Sequence, residues 1–385
     1  MNFNLTDDQQ AFVDTAKAFA EKELAPFAAE WDETAHFPIE VFRKAGELGF
    51  MGMYTPEDAG GFGMSRLDAA LIFEQLAMGC TATTAMMTIH NMVSWMIGAF
   101  AKPEVVEQWV PELVMGTKLG SYCLTEPGAG SDAASLRTSA RREGDEYVLN
   151  GSKMFISGAG STDVLVVMAR TGGPGPRGIS AFVVPADAAG IHYGKKEAKM
   201  GWNAQPTRLV TFEDVRIPAA NLLGEEGEGF KFAMMGLDGG RINIAVCSVG
   251  TAQAALNTAR DYMRERQQFG KPLAQFQALE FKLADMATEL VAARQMVRLA
   301  AFKVDNDDAD KTTYCAMAKR FATDVGFTVC NEALQIHGGY GYIKEYPLER
   351  HVRDVRVHQI LEGTNEIMRV IIGRRLLADM DRDIL

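Results

Sequence analysis

Tyr122-Cys-Leu-Thr-Glu-Pro-Gly-Ala-Gly-Ser-Asp132 is the point at which the texture of this chain changes. A strand-like start runs into a turn rich in glycine, hydroxyls and free amides. Such a turn can hold an anion in a nest of backbone N–H groups, and it can equally be an ordinary loop. Downstream, between residues 119 and 223, the sequence breaks into short β-branched and aromatic runs at 147–149, 164–168, 179–184 and 209–212. Asn150-Gly151, residues 171–178 and residues 185–190 separate them, so the spacing predicts an antiparallel β-domain and argues against βαβ units. Upstream the pattern is helical. Thr6-Asp-Asp-Gln9 has the form of a capping box opening a helix to about Ala29, and Ser65-x-x-Asp68 resembles a second start. Pro103 sits where a first helical residue belongs, and Gly116 closes that helix. Helical texture returns after Gly229, with breaks near 270–272, 305–310 and 337–346 and at Glu362-Gly363. The order α, β, α makes this an α+β chain, with a helical domain over 1–118, a β-domain over 119–228 and a helical domain over 229–385.

The 385 residues are 47% apolar and 23% charged with a net charge of −11, which excludes a disordered tail, a collagen-like fibre and a disulfide mini-scaffold. The first 240 residues hold 19 basic against 31 acidic side chains and the remainder 20 against 19, so no basic patch offsets the repulsion of a phosphate backbone. Nucleic acid is not an expected partner. Cys80, Cys123, Cys247, Cys315 and Cys330 are odd in number, widely spaced and set among apolar residues, which reads as reduced core thiols. The start MNFNLTDDQQ has neither signal-peptide order nor transit-peptide bias, so a bacterial-type cytoplasm is expected, with a processed organellar form as the lesser alternative. Gln75 to Ala101 carries no Lys, Arg, Asp or Glu and is long enough to span a bilayer, yet Thr, His, Asn and Ser recur through it. A buried helix or helix pair is expected there, and no membrane insertion. Ile242 to Ala259 is a second uncharged stretch, with Ile242, Val246, Val249, Leu256, Ala259 and Met263 near a 3.6-residue repeat.

Gly173-Pro-Gly-Pro-Arg-Gly178 matches G-x-G-x-x-G, but two prolines and a following strand make it a hairpin loop rather than a dinucleotide turn. The six histidines are scattered, and no metal site is expected. His337-Gly-Gly-Tyr-Gly341 either lets a ligand approach closely or only makes a turn. Glu362-Gly-Thr-Asn-Glu366 precedes a helix whose cap would be Thr364. A carboxylate there could be a dipole-stabilised structural anion or a base with its pKa raised by an apolar pocket, and spacing alone does not choose.

Taken together, Tyr122 to Asp132, Arg266-Gln-Gln-Phe-Gly-Lys271, Gln335-Ile-His-Gly-Gly-Tyr-Gly341 and Glu362-Gly-Thr364 resemble the acyl-CoA dehydrogenase family over essentially the whole chain. Lys199-Met-Gly-Trp-Asn-Ala-Gln-Pro-Thr207, Gly236-Leu-Asp-Gly-Gly-Arg-Ile-Asn243 and Val357-His-Gln-Ile-Leu-Glu-Gly-Thr-Asn-Glu366 are similar to the branch of that family acting on isobutyryl-CoA in valine breakdown. The resemblance implies a C-terminal four-helix bundle and a homotetramer binding FAD between the β-domain and the C-terminal helices. It further implies that Tyr122, Cys123, Leu124, Thr125, Gly130 and Ser131 line the flavin and that Phe155, Ile156 and Ser157 border its rings. Arg266, Phe276 and Gln277, with Gln335, Ile336, His337, Gly338 and Gly339 from the partner, would meet the pyrophosphate and adenosine. Thr364, Asn365 and Glu366 would make a further flavin contact. Ser131, Asp238, Gly239, Gly240, Arg241, Gly363 and Arg374 would contact acyl-CoA. Glu362 would be the base taking the α-proton, because the position before Arg241, which carries the base in some relatives, is Gly240. The implied electron acceptor is electron-transferring flavoprotein. Leu361 stands where short- and medium-chain relatives often carry tyrosine, which would make room for an α-methyl group. The rival readings are a dehydrogenase for 2-methylbutyryl-CoA or butyryl-CoA, an oxidase that passes electrons to oxygen, and a catalytically idle member serving as a nucleic-acid-binding or scaffold protein.

Overall fold

Thr6 starts the first helix in the way its neighbours dictate: its hydroxyl accepts the Gln9 N–H at 3.2 Å while the Gln9 side chain accepts the Thr6 N–H at 3.1 Å. In this computed structural model, which describes residues 4–378, α1 (Asp7–Phe19) runs into a widened π-type turn at Ala20–Leu24. The expected single helix to about Ala29 is therefore broken, and α2 (Ala28–Thr34) follows. The widened turn is where another helix comes close: a Cβ added at Gly79 would lie 2.9 Å from both the Ala20 carbonyl oxygen and the Leu24 Cβ. α3 (Ile39–Glu47), α4 (Arg66–Gly79), α5 (Thr81–Phe100) and α6 (Pro103–Val114) complete the N-terminal layer. Ser65 caps α4 by accepting the Asp68 N–H at 3.0 Å, and Pro103 opens α6. The uncharged stretch is the end of α4 and all of α5, a helix pair divided at Cys80. No described helix is long and apolar enough to cross a membrane.

The middle of the chain forms an eight-stranded sheet: β1 (Gly120–Cys123), β2 (Ser139–Glu143), β3 (Glu146–Ser157), β4 (Val164–Arg170), β5 (Ile179–Pro185), β6 (Ile191–Tyr193), β7 (Thr207–Pro218) and β8 (Leu222–Leu223). Its order is β6-β7-β3-β2-β4-β5-β8, with β1 added to β4. Most pairs are antiparallel, but β1 and β4 run parallel, as do β2 and β4 at Ser139 and Arg170, so the sheet is mixed rather than purely antiparallel. Residues 171–178 form the loop joining the antiparallel β4 and β5, as their prolines require. Asn150-Gly151 is not a turn. It is a bulge inside β3, where Asn150 exchanges two 2.9 Å bonds with Asp214 and Gly151 takes φ +142°. The hairpin turn lies instead at Gly144, with φ +63°.

The C-terminal third is α7 (Gly229–Glu265), α8 (Gln277–Asp305), α9 (Lys311–His337), α10 (Leu348–Arg356) and α11 (Asn365–Ala378). The long helices α7, α8 and α9 pack on one another, α10 and α11 lie on α9, and α4 lies across α7 and α8. One core, including Phe42, Phe73, Ile242, Val249, Leu290 and Val329, fuses the two helical layers. The sheet is covered on both faces. Val164, Val166 and Met168 meet Met92, Trp109 and Phe232 on one side, while Leu165 and Val167 meet Tyr147, Phe182 and Phe212 on the other. Each such side chain contributes about 1.5–3 kcal/mol through burial, which explains why β4 is continuously apolar rather than alternating.

A polar clasp ties the three layers. The Asp32 carboxylate on α2 accepts Arg353 of α10 at 2.6 and 3.2 Å and the Asn203 side chain at 3.0 Å, and the Trp202 N–H donates to Asp354 at 2.6 Å.

Candidate active site

Glu362 stands in the turn before α11 with φ +54°, followed by Gly363 at +84°. Two consecutive left-handed residues are an uncommon backbone for a non-glycine and need external support. α9 supplies it. Lys319, fully buried, donates to the Gly363 carbonyl at 2.7 Å and to Asn365 Oδ1 at 2.9 Å. Asn365 donates in turn to Thr323 Oγ1 at 2.9 Å and Asp324 Oδ1 at 2.8 Å, and Gln359 reaches the same Asp324 oxygen at 2.8 Å from the other side of the turn. Thr364 caps α11, its hydroxyl accepting the Ile367 N–H at 3.3 Å.

This turn aims the Glu362 side chain at α7. Oε2 is buried with no hydrogen-bond partner, and burial pushes the carboxyl pKa up while Arg241 and Lys319 pull it down. A Cβ added at Gly240 would fall 2.5 Å from that oxygen, so the absence of a side chain there makes room for the carboxylate. Asp238 and Arg241, both buried, pair at 2.6 Å, and Asp238 also accepts the Thr312 hydroxyl at 2.6 Å. Arg241 Nε is left buried without a partner. Gly239 has the same kind of constraint, since a Cβ there would meet Arg66 Nη2 at 2.3 Å.

The C-terminal end of β1 approaches from the sheet. The Tyr122 phenol is buried without a partner, and burial together with the nearby Glu362 charge pushes its pKa well above the ordinary value. The Met154 N–H donates to the Thr125 carbonyl at 2.8 Å, which joins the 122–131 turn to the end of β3, where Ser157 accepts bonds from Ser121 at its carbonyl and from Gln205 at its hydroxyl. Phe155, at φ +60°, turns its ring out, 62% exposed. Beneath the turn, fully buried Lys153 donates to the Leu124 carbonyl at 3.0 Å and to Glu126 at 2.8 Å, and Glu126 also accepts the Arg137 and Thr138 N–H groups at 2.7 and 2.9 Å. Cys123, Leu124 and Ile156 bury their side chains in the sheet cores, so what they can offer a ligand is backbone. Gly130 and Ser131 are exposed, and nothing lies within 4 Å of a Cβ at Gly130.

A second cluster forms at the far end of α7 and α9. Arg266, Ile336, His337, Gly338 and Gly339 line one cavity of about 450 Å³ together with Tyr262. The His337 ring stacks on Tyr262 at 4.0 Å and leaves Nε2 buried without a partner. Gln335 is exposed beside it, and Phe276 and Gln277 lie across the 267–272 hairpin at the start of α8, with the Lys271 ammonium 4.3 Å from the Phe276 ring centre. The structure thus divides the sequence-predicted residues into two sets. Tyr122 to Ser131, Phe155 to Ser157, Asp238 to Arg241 and the Glu362 turn belong to one, while Arg266, Phe276, Gln277 and Gln335 to Gly339 belong to the other. Arg374 is exposed farther along α11, Glu366 is exposed on its first turn, and the Asn365 side chain faces inward to α9. Residues 1–3 and 379–385, parts of the expected terminal domains, lie outside the described residues. Among the described residues no three His, Cys, Asp or Glu side chains are grouped as metal ligands.

Sequence reasoning missed Lys319, Lys153, Glu126 and Gln205. A signal existed for Lys319: it is a cation among Ala316, Ala318 and Ala322 on a helix face that is otherwise small and apolar.

Models of the acyl-CoA dehydrogenase N-terminal, middle and C-terminal domains match residues 6–117, 121–215 and 227–377. The mitochondrial isobutyryl-CoA dehydrogenase of Bos taurus is 56% identical over 98% of this chain and 91% of its own length. The butyryl-CoA dehydrogenase of Megasphaera elsdenii superposes with a TM-score of 0.94 at 44% identity, covering 98% of this chain and 100% of that one. A chain in the structure of the electron-transferring flavoprotein of Acidaminococcus fermentans, described in connection with flavin-based electron bifurcation, superposes with a TM-score of 0.96 at 43% identity over 98% and 100% of the two chains.

Proposed function

The chain belongs to the acyl-CoA dehydrogenase family, an FAD-dependent oxidoreductase, and on that premise we propose that it oxidises isobutyryl-CoA to methacrylyl-CoA with Glu362 as the base. The observation that carries the reading is Oε2 of the half-buried Glu362: itself enclosed, unpaired and facing a glycine. A structural anion at a helix start would have both oxygens paired or solvated, whereas a carboxylate with one enclosed, unpaired oxygen and a raised pKa is poised to accept a proton.

The residues present fit FAD. The open space over Gly128 and Gly130, the outward ring of Phe155 and the unpartnered Tyr122 hydroxyl offer a cradle on the sheet side of Glu362, and the orphaned His337 Nε2 with Arg266 suits a nucleotide's pyrophosphate and adenosine. In this reading the second set serves a neighbouring copy's FAD, and Thr364 to Glu366 border the flavin within the same chain. Bound there, FAD supplies the acceptor for the β-hydride. Glu362 removes the α-proton, an acidic step only if the thioester oxygen receives hydrogen bonds as enolate charge grows, a task that falls to the Glu362 N–H among this chain's groups. Asp238, Gly239, Gly240, Arg241, Gly363, Ser131 and Arg374 are the proposed acyl-CoA contacts. Leu361, partly buried against the helical core, is the residue proposed to make room for the α-methyl of a branched acyl group.

Domain limits at 118/119 and 228/229, a cytoplasmic location and a homotetramer complete the proposal. Five free buried cysteines support a reducing compartment. Phe281, Val291, Leu299 and Phe302, exposed along α8, support a face covered by a second copy. Electron-transferring flavoprotein is the proposed acceptor.

The test is anaerobic bleaching of the flavin absorbance by a panel of acyl-CoAs, wild type against Glu362→Gln. Bleaching by isobutyryl-CoA, lost in the variant, supports the reading. Bleaching by butyryl-CoA or 2-methylbutyryl-CoA in preference overturns the substrate, and no bleaching overturns the activity.

A further inference from the structure

Lys319 reaches the Glu362 turn from α9, and its two hydrogen bonds go to the Gly363 carbonyl and to Asn365 Oδ1 at the start of α11 rather than to a carboxylate. A lysine ammonium 0% exposed and hydrogen-bonded to a carbonyl and an amide oxygen, with no direct ion pair, is costly to bury. A neutral donor would hold the turn at lower cost. The charge therefore calls for an explanation beyond the fit.

We propose that Lys319 is a positioning residue for Glu362: its two hydrogen bonds fix the left-handed turn that aims the carboxylate at Gly240, and its buried positive charge opposes protonation of that carboxylate before acyl-CoA arrives. The inference rests on the reading of Glu362 as the base and deepens it. Lys319 and Glu362 each feel the other's charge: Glu362 pulls the ammonium pKa up and Lys319 pulls the carboxyl pKa down, while burial opposes both and takes Lys319 down to about 8. Arg241 on α7 acts in the same sense as Lys319 on Glu362, but its own charge is shared with Asp238 at 2.6 Å. Asp324 on α9 and Glu366 on α11 favour the charged ammonium, Tyr122 of β1 faces the carboxylate, and His358, whose pKa is driven to about 3 by burial and by Lys319, stays neutral below. Lys319 is thus the cation nearest the turn without a carboxylate of its own. When acyl-CoA closes over the site and removes water from Glu362, the carboxyl pKa rises from a value that Lys319 has set.

The experiment uses the FAD-loaded holoenzyme with Lys319→Met, Lys319→Gln and Lys319→Arg. The first readout is the pH profile of kcat/KM for the acyl-CoA that bleaches wild type best, whose acidic limb reports the base in the free enzyme. Removing the charge raises the carboxyl pKa, so Met and Gln shift that limb upward by about one pH unit, a tenfold loss of rate below it, while Arg leaves it near the wild-type position. Gln retains a donor and carries the test if Met does not fold. The second readout needs no turnover: the infrared band of the protonated Glu362 carboxyl, identified by its disappearance in Glu362→Gln, titrates at higher pH in the Met and Gln variants than in wild type. An unmoved limb and an unmoved band, with or without a fall in thermal midpoint, overturn the inference and leave Lys319 a structural residue. A moved band in an enzyme that no acyl-CoA bleaches supports the coupling while the proposed activity fails.

Discussion

The Glu362 carboxylate occupies the space in which a side chain at Gly240 would begin, with Oε2 2.5 Å from the Cβ that residue 240 lacks. Two positions 122 residues apart in sequence therefore share one volume, and only one of them can carry a side chain into it. That pair explains why residue 240 is glycine, while its neighbour Gly239 makes room for Arg66 instead.

Gly240→Ala consequently displaces the carboxylate without removing it. The expected result is a 10- to 100-fold fall in the rate of flavin bleaching, on the order expected for an ångström-scale misplacement, with the FAD content unchanged. Stopped-flow absorbance with isobutyryl-CoA measures it, and a rate within twofold of wild type would show that the carboxylate is not confined by residue 240.

Lys153→Met leaves Glu126 buried without its cation and the Leu124 carbonyl without its donor. Breaking such a pair costs about 3–5 kcal/mol. Because the pair lies under the 122–131 turn, the variant should also lose FAD during gel filtration, whereas a variant that is destabilised but retains the full flavin complement would separate the pair from the cradle.

Asp354 is fully enclosed, and burial pushes its pKa up to about 7 against the opposing pull of the Trp202 N–H, Arg350 and Arg353. A carboxyl with a folded pKa above its unfolded value stabilises the fold most below the unfolded pKa, and that contribution is lost as pH rises through about 7. Asp354→Asn removes this dependence while keeping an acceptor for Trp202. The thermal midpoint of the variant minus that of wild type should rise between pH 5 and pH 8, by about 2 °C or more. A difference that stays flat across that range would mean that Asp354 is ionised throughout.

Leu361→Tyr fills the space proposed for the α-methyl group. The isobutyryl-to-butyryl ratio of kcat/KM should fall roughly tenfold, within the ~1–3 kcal/mol that a methyl-sized change commands in such a pocket. An unchanged ratio would place the branched-chain selectivity elsewhere.

Local signals in the sequence were read correctly where both partners are a few residues apart. The Thr6–Gln9 box, the Ser65 cap, Pro103 at the first turn of α6 and the hairpin at 171–178 all involve neighbours in sequence. The failures share one physical cause. Asn150-Gly151 has turn chemistry, but Asp214, 64 positions later, takes up both Asn150 bonds and leaves the pair as a bulge in a continuing strand. The parallel pairing of β1 with β4 could not be read because strand direction is fixed by a partner more than 40 residues away. The π-type turn at Ala20–Leu24 answers to Gly79. At the candidate site the exposed and glycine-rich residues were legible as a family pattern, whereas the buried lysines beneath them were not, since composition does not distinguish a solvated lysine from one enclosed in a core.

The clasp at Asp32 carries a consequence for how the protein is made. Asp32 leaves the ribosome well before Arg353, the partner that pairs with its carboxylate from 321 residues later. The core that fuses α1–α4 with α7–α9 has the same order of separation. The first helical layer therefore emerges as an unfinished surface whose apolar side has no cover until α7, α8 and α9 have been made, and the clasp closes only when α10 follows them.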